Sequence, residues 1–105
     1  MAEEILSIAH IRPEEGKDKE ALSILRELYA LLQRKQYCRD QLFRDAADAG
    51  HLVNLRYWKS AEARAAAQED PDVHRLWIRL SQVAHVDRVT EKLEEIEWWE
   101  SPAGD

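Results

Sequence analysis

Thr90-Glu91-Lys92-Leu93-Glu94-Glu95-Ile96-Glu97-Trp98-Trp99, near the end of the chain, decides the fold. On propensity alone Thr90 to Ile96 is acceptable as a helix, whereas Ile96-Glu97-Trp98-Trp99 favours a strand. Local preference leaves both readings open, so the order of the preceding elements has to choose between them.

Ile5 to Ile11 is rich in β-branched and aliphatic residues. Extended, it puts Leu6, Ile8 and His10 on one face and Ile5, Ser7, Ala9 and Ile11 on the other. Pro13 and Gly16 end this strand and open a loop. From Asp18 to Lys35 apolar residues recur at Ala21, Leu25, Leu28 and Leu32, widened by Leu22 and Tyr29, which is the stripe of an amphipathic helix. Cys38 to Asp45, carrying Leu42 and Phe43, and Leu52 to Trp58 read as two antiparallel strands joined across the turn-rich Asp45–Gly50. Ser60 is a natural N-cap for the Ala-rich helix after it, and Asp70-Pro71 supplies an acceptor and a first-turn proline for another. That last helix carries Val73, Leu76, Trp77 and Leu80 at helical spacing and is expected to run to about Ala84.

The order is therefore strand, helix, strand, strand, helical pair and a final segment. A strand within Lys92 to Trp99 completes the split βαβ arrangement, giving an α+β, ferredoxin-like βαββαβ fold with an antiparallel four-stranded sheet. On such a strand Trp98 and Trp99 point to opposite faces.

Composition narrows the function classes. With 105 residues, 45% of them hydrophobic and 34% charged, the chain suits one packed domain spanning 1–105, with its core over about 4–99. Its net charge of −6, with 15 scattered Lys and Arg, disfavours a nucleic-acid partner. Cys38 is the single cysteine and no Cys/His grouping has zinc-site spacing, so neither a disulfide nor a structural zinc is expected. The Met-Ala-Glu-Glu start and the short apolar runs argue against a signal peptide and a membrane span, and point to a cytoplasmic protein.

Tyr37-Cys38-Arg39-Asp40-Gln41-Leu42-Phe43-Arg44-Asp45, then Leu52-Val53-Asn54-Leu55-Arg56-Tyr57-Trp58-Lys59-Ser60-Ala61-Glu62-Ala63, then Asp70-Pro71-Asp72-Val73-His74, resemble the antibiotic biosynthesis monooxygenase family. The resemblance covers roughly residues 4 to 99, and its most specific part is the strand-to-helix joint Trp58-Lys59-Ser60-Ala61-Glu62-Ala63. Tyr37 departs from the pattern, which has glycine there. The resemblance implies a homodimer whose sheets face one another, a dimeric α/β barrel. A physical need for it is legible: Val53, Leu55 and Tyr57 lie on one side of the third strand and Leu52, Asn54, Arg56 and Trp58 on the other, so neither side suits water.

It also implies cofactor-independent oxidation of a small aromatic, quinol-type substrate by dioxygen, in a pocket between sheet and helices with no cofactor. Such chemistry needs a water-poor cavity and hydrogen-bond donors where negative charge develops. Asn54 and Trp58 match the positions of the quinone-forming branch and are the candidate catalytic pair; four apart on one strand, they emerge on one face about 13 Å apart. Ser7, Ala9, His74 and Trp77 are the candidate substrate-binding positions. A tyrosine and an arginine of that branch are replaced here by Arg64 and Trp77. Each candidate also has a plain structural reading: Trp58 and Trp77 as core aromatics, Asn54 as a local polar bridge, His74 as a solvated histidine. His10, His51 and His85 have no partner at ligand spacing and read as surface or interface residues. Heme-degrading relatives use a strand-one asparagine, a helix tryptophan and a histidine ligand where this chain has Ala9, Ala67 and about Ile78, so heme degradation is not implied. The alternative to catalysis is a non-catalytic small-molecule-binding or regulatory dimeric module on the same fold.

Overall fold

The computed structural model describes residues 4–100, so the N-terminal reading at 1–3 lies outside the described residues. Strand β1 (Ile5–Pro13) leads into helix α1 (Asp18–Arg34), the hairpin β2 (Cys38–Asp45) and β3 (Asp48–Trp58), helices α2 (Ala61–Glu69) and α3 (Pro71–Ser81), and strand β4 (Ala84–Glu94). The four strands form one antiparallel sheet in the order β2-β3-β1-β4, the ferredoxin-like α+β fold the sequence calls for. Caps fall where the sequence puts them. The Ser60 hydroxyl accepts the Ala63 N–H at 3.0 Å and the Asp70 carboxylate accepts the Asp72 N–H at 2.9 Å, each starting a helix at the next residue.

Helix α1 ends through a left-handed residue. Gln36 has φ +62°, the Gln36 N–H donates to the Gln33 carbonyl at 2.9 Å, and the Tyr37 N–H donates to the Leu32 carbonyl at 3.0 Å. This paired reversal usually employs glycine. The chain thus makes the turn one residue before Tyr37, the position where the family pattern has its glycine, and Tyr37 is freed to reach across to Asp70 (2.7 Å).

Two expected boundaries are corrected. Helix α3 stops at Ser81, not near Ala84, and the last strand is Ala84–Glu94, not Lys92–Trp99. Pairing explains the shift: β4 runs antiparallel along the whole of β1, from Pro13↔Ala84 to Ile5↔Glu94, and among the described residues Glu95–Trp99 pair with no strand. Trp98 and Trp99 therefore occupy no strand faces; they are 74% and 83% exposed.

The helix-facing side of the sheet follows from the register. Ile5, Ser7, Ala9 and Ile11 pair with Trp58, Arg56, Asn54 and Leu52, which all point to the helices. Ile11 and Leu52 pack with Ala21, Ile24, Leu25 and Leu80 at one end; Trp58 packs with Leu28, Leu32, Cys38, Ala67, Val73 and Leu76 at the other. Between these two apolar clusters the sheet offers only small residues, Ser7 and Ala9, and polar ones, Asn54 and Arg56. Small side chains leave space, and the interior is hollow there.

Candidate functional site

The hollow is a cavity of about 310 Å³, floored by β1, β3 and β4 and roofed by α2 and α3. It takes in all six residues singled out from the sequence: Asn54 and Trp58 from β3, Ser7 and Ala9 from β1, His74 and Trp77 from α3. Its size is at the lower end of ligand pockets, which run about 300–1,000 Å³.

The two nominated donors already have protein partners. The Trp58 indole N–H donates to the Ser7 hydroxyl at 2.8 Å, and that hydroxyl donates to the Glu91 carbonyl at 2.8 Å. Glu91 presents this carbonyl because the β1–β4 register shifts between Leu6↔Leu93 and Ile8↔Thr90, which leaves Glu91 and Lys92 opposite Ser7 alone. The Asn54 amide nitrogen faces Asp40 Oδ1 (3.2 Å), the Gln41 carbonyl (3.3 Å) and the Leu55 carbonyl (3.4 Å), so its two hydrogens have acceptors on β2 and on its own strand. His74 is exposed at the rim; its Nε2 bonds the Gln68 carbonyl, which can only accept, so Nδ1 is the nitrogen left to take up a proton. Trp77 is half-buried and packs against both core clusters while lining the cavity.

Arginines make up the part that sequence reasoning missed. Arg56 is 6% exposed and its Nε donates to Asp40 Oδ1 at 2.6 Å, a one-point pair that leaves Nη2 buried with no hydrogen-bond partner. Its guanidinium lies 5.4 Å from the Trp58 ring and 5.8 Å from that of Trp77. Arg88 stands 5.2 Å from the Trp77 ring, and Arg64 pairs with Glu91 at 3.3 Å. The signal was present in the alternation of β3, where an arginine falls on the same face as Leu52 and Trp58.

Burial removes two other candidates for reactivity. The Cys38 thiol, hidden beneath Asp40, is pushed up to about 12 by burial first and by the Asp40 charge second, which keeps it a thiol rather than a nucleophile. Burial likewise raises the Tyr29 phenol well above its ordinary value. Among the described residues no three His, Cys, Asp or Glu side chains are grouped to hold a metal ion.

On the opposite sheet face the structure joins two histidines that sequence spacing left apart. Their rings stack at 4.6 Å, with His51 Nε2 at 2.6 Å from His10 Nδ1 and His51 Nδ1 at 3.0 Å from Asp45. His85 pairs with Asp87 at 2.9 Å. That open face also carries the polar Arg39 and Gln41, opposite Tyr57 and Leu55, beside apolar residues: Leu6, Ile8, Val53, Leu55 and Tyr57 are only half-buried, and Phe43, paired with Val53, is 46% exposed. No helix among the described residues is long and apolar enough to cross a membrane.

Comparison with known proteins gives this arrangement a family. A conserved Bacteroides thetaiotaomicron protein of unknown function superposes with a TM-score of 0.78 at 19% identity, over 90% of this chain and 100% of its own. SnoaB, a cofactor-independent oxygenase from Streptomyces nogalater, does so with a TM-score of 0.78 at 18% identity, over 90% and 97%. Rv0793 from Mycobacterium tuberculosis follows with a TM-score of 0.71 at 16% identity, over 90% and 99%. At these identities the likeness is one of fold. Among curated proteins none matches the chain significantly. The family model for antibiotic biosynthesis monooxygenases matches residues 5–76, well over half of the sequence, which includes β1, β3 and the α2–α3 joint that build the cavity. The chain belongs to the antibiotic biosynthesis monooxygenase family, and its function is monooxygenase-like at the level of that family.

Proposed function

We propose that the protein is a cofactor-independent monooxygenase that oxidises a small aromatic, quinol-type substrate with dioxygen in this cavity, working as a homodimer. One observation carries the reading: a hollow of about 310 Å³ between sheet and helices, walled by Trp58 and Trp77 and lined by Arg56, Arg64 and Arg88. The guanidiniums of Arg56, which is buried, and of Arg64, whose side chain is 15% exposed, favour the ionised form of a phenol, and an electron-rich phenolate is what reduces dioxygen. The overall step balances as a phenol with a free para C–H plus one O₂ giving a para-quinone plus one water. One oxygen atom forms the new C=O; the other leaves as water with the ring hydrogen and the hydroxyl hydrogen. The ring supplies all four electrons, so no reductant or cofactor is required.

Within that scheme His74, through Nδ1, takes the phenolic proton at the rim. The Trp58–Ser7–Glu91 chain of hydrogen bonds holds the indole edge in place, and Asn54 ties β3 to Asp40 beneath the cavity floor. Pairing of two open faces through Leu6, Ile8, Leu55 and Phe43 buries apolar surface that water would otherwise wet, and supports the sheet that forms the floor.

Oxygen uptake with dihydroxynaphthalenes, anthrones and catechol-type quinols, each keeping a free position para to a hydroxyl, tests the reading. Protein-dependent uptake is expected with at least one class, falling tenfold or more in Asn54→Ala. A folded dimer that consumes no oxygen with any of them would contradict turnover and favour a non-catalytic binding module.

A further inference from the structure

We propose that Trp77 fixes the length of ligand that the cavity accepts: its indole walls the cavity off from a second hollow and confines the ligand to one or two fused rings. The inference rests on the same cavity being the ligand site and adds the size class of the ligand.

The two hollows follow one seam between α3 and β4. Val73, Trp77 and Ser81 stand four apart on α3 and so form one row. Val73 lines the cavity, Ser81 lines a shallower groove of about 460 Å³, and Trp77 between them lines both. The strand side repeats this order. Arg88, Val86 and Ala84 pair with the helix-facing Ala9 and Ile11 and with Pro13; Arg88 lines both hollows, Val86 and Ala84 the groove. Trp77 and Arg88, whose guanidinium is 5.2 Å from the indole, therefore close the seam. Arg88 is 56% exposed and free to swing aside. The indole is not: it is half-buried, packs against both core clusters and lies 5.8 Å from the guanidinium of Arg56, which Asp40 holds through Nε. Turning it away would give up its packing at both ends. Trp58 and its cluster shut the far end of the cavity. The space left, about 310 Å³, is at the lower end of ligand pockets. A third fused ring either meets the Trp77 indole or projects into water past His74 and Gln68 at the exposed rim.

The test titrates the full-length protein with 2-naphthol and with 2-hydroxyanthracene, followed by the fluorescence of each probe under argon, where neither is oxidised. An added ring buries more apolar surface and ordinarily tightens binding. The wild type is nonetheless expected to bind the three-ring probe no more tightly than the two-ring one. Trp77→Ala opens the seam, and Trp77→Leu opens it in part while keeping some of the packing, in case the larger truncation costs the fold. In whichever variant is folded by circular dichroism, 2-hydroxyanthracene is expected to bind at least tenfold more tightly than it does to the wild type, with no such gain for 2-naphthol. A wild type that binds the three-ring probe more tightly, a folded variant that falls short of that gain or gains equally for both probes, or no binding of either probe up to its solubility limit would each overturn the proposal. Oxygen uptake separates its fate from that of the oxygenase reading. Uptake by a wild type that binds the three-ring probe more tightly ends the Trp77 wall alone; the expected binding pattern without turnover of any substrate supports the wall and ends the oxygenase reading.

Discussion

Replacing Asp40 with alanine strikes the polar floor of the cavity where the chain has least room to compensate. The Asp40 side chain is 3% exposed and accepts from Arg56 Nε at 2.6 Å, Asn54 Nδ2 at 3.2 Å and Cys38 Sγ at 3.6 Å. Arg56 already has an unpartnered Nη2, so the variant buries a guanidinium with no counter-charge at all. Breaking a buried pair in this way costs about 3–5 kcal/mol, a large share of the roughly 5–15 kcal/mol that holds a domain folded. In urea, with a slope of about 2 kcal/mol per molar, the midpoint should fall by about 1.5–2.5 M with little change in slope. Tryptophan fluorescence at one fixed protein concentration reads it, since association shifts apparent stability. Asp40→Asn with Arg56→Met should recover more than half of the loss, because both charges leave together. A loss under about 1 kcal/mol in Asp40→Ala would refute the reasoning, for it would mean that the pair is solvated and the cavity floor is wet.

Three more perturbations follow from local structure. Lys35 at 2.7 Å, with Tyr37 also at 2.7 Å, holds the Asp70 carboxyl well below the ordinary carboxylate range. The folded value lies below the unfolded one, so this stabilisation is present above about pH 4 and is lost as pH falls further; thermal melts between pH 6 and 3 should show a shallower acid decline in Asp70→Asn than in the wild type. The Cys38 thiol has the opposite sign: raised to about 12 in the fold against a reference value of 9.0, it makes stability fall as pH rises above about 9. Cys38 should resist a chromogenic disulfide reagent at pH 8 until urea unfolds the chain, and Cys38→Ala should soften the alkaline limb. Gln36→Gly removes a side chain from a left-handed position at φ +62° and should stabilise the protein by up to about 1 kcal/mol, read as a higher urea midpoint.

The elements that sequence discloses are those whose local chemistry and burial agree. Helix α1 carries an uninterrupted stripe from Ala21 to Leu32, and Ser60 and Asp70 cap the helices that follow them. Strand β4 was placed too late because it lies at the sheet edge: His85, Asp87, Arg88 and Glu91 give its register no apolar alternation, while Trp98 and Trp99 carry strand propensity without a partner strand. The cavity's members were legible as positions on β1, β3 and α3, but their hydrogen-bond partners were not. That the Trp58 N–H meets Ser7, and the Asn54 amide meets Asp40, depends on cross-strand register and the β4 irregularity, which no spacing along one strand encodes. Arg56 was visible as an inward residue, yet its orphaned Nη2 exists only because Asp40 on β2 reaches Nε alone. The same holds for His10 and His51, which are 41 residues apart in sequence and meet only across β1 and β3.

Turnover under ¹⁸O₂ tests the central claim most directly. With a hydroxynaphthalene substrate and the wild-type protein, mass spectrometry of the quinone should show one labelled oxygen atom per product molecule, formed at a rate proportional to protein and suppressed in Asn54→Ala. Quinone bearing only unlabelled oxygen, or labelled quinone forming equally fast without the protein, would contradict the account.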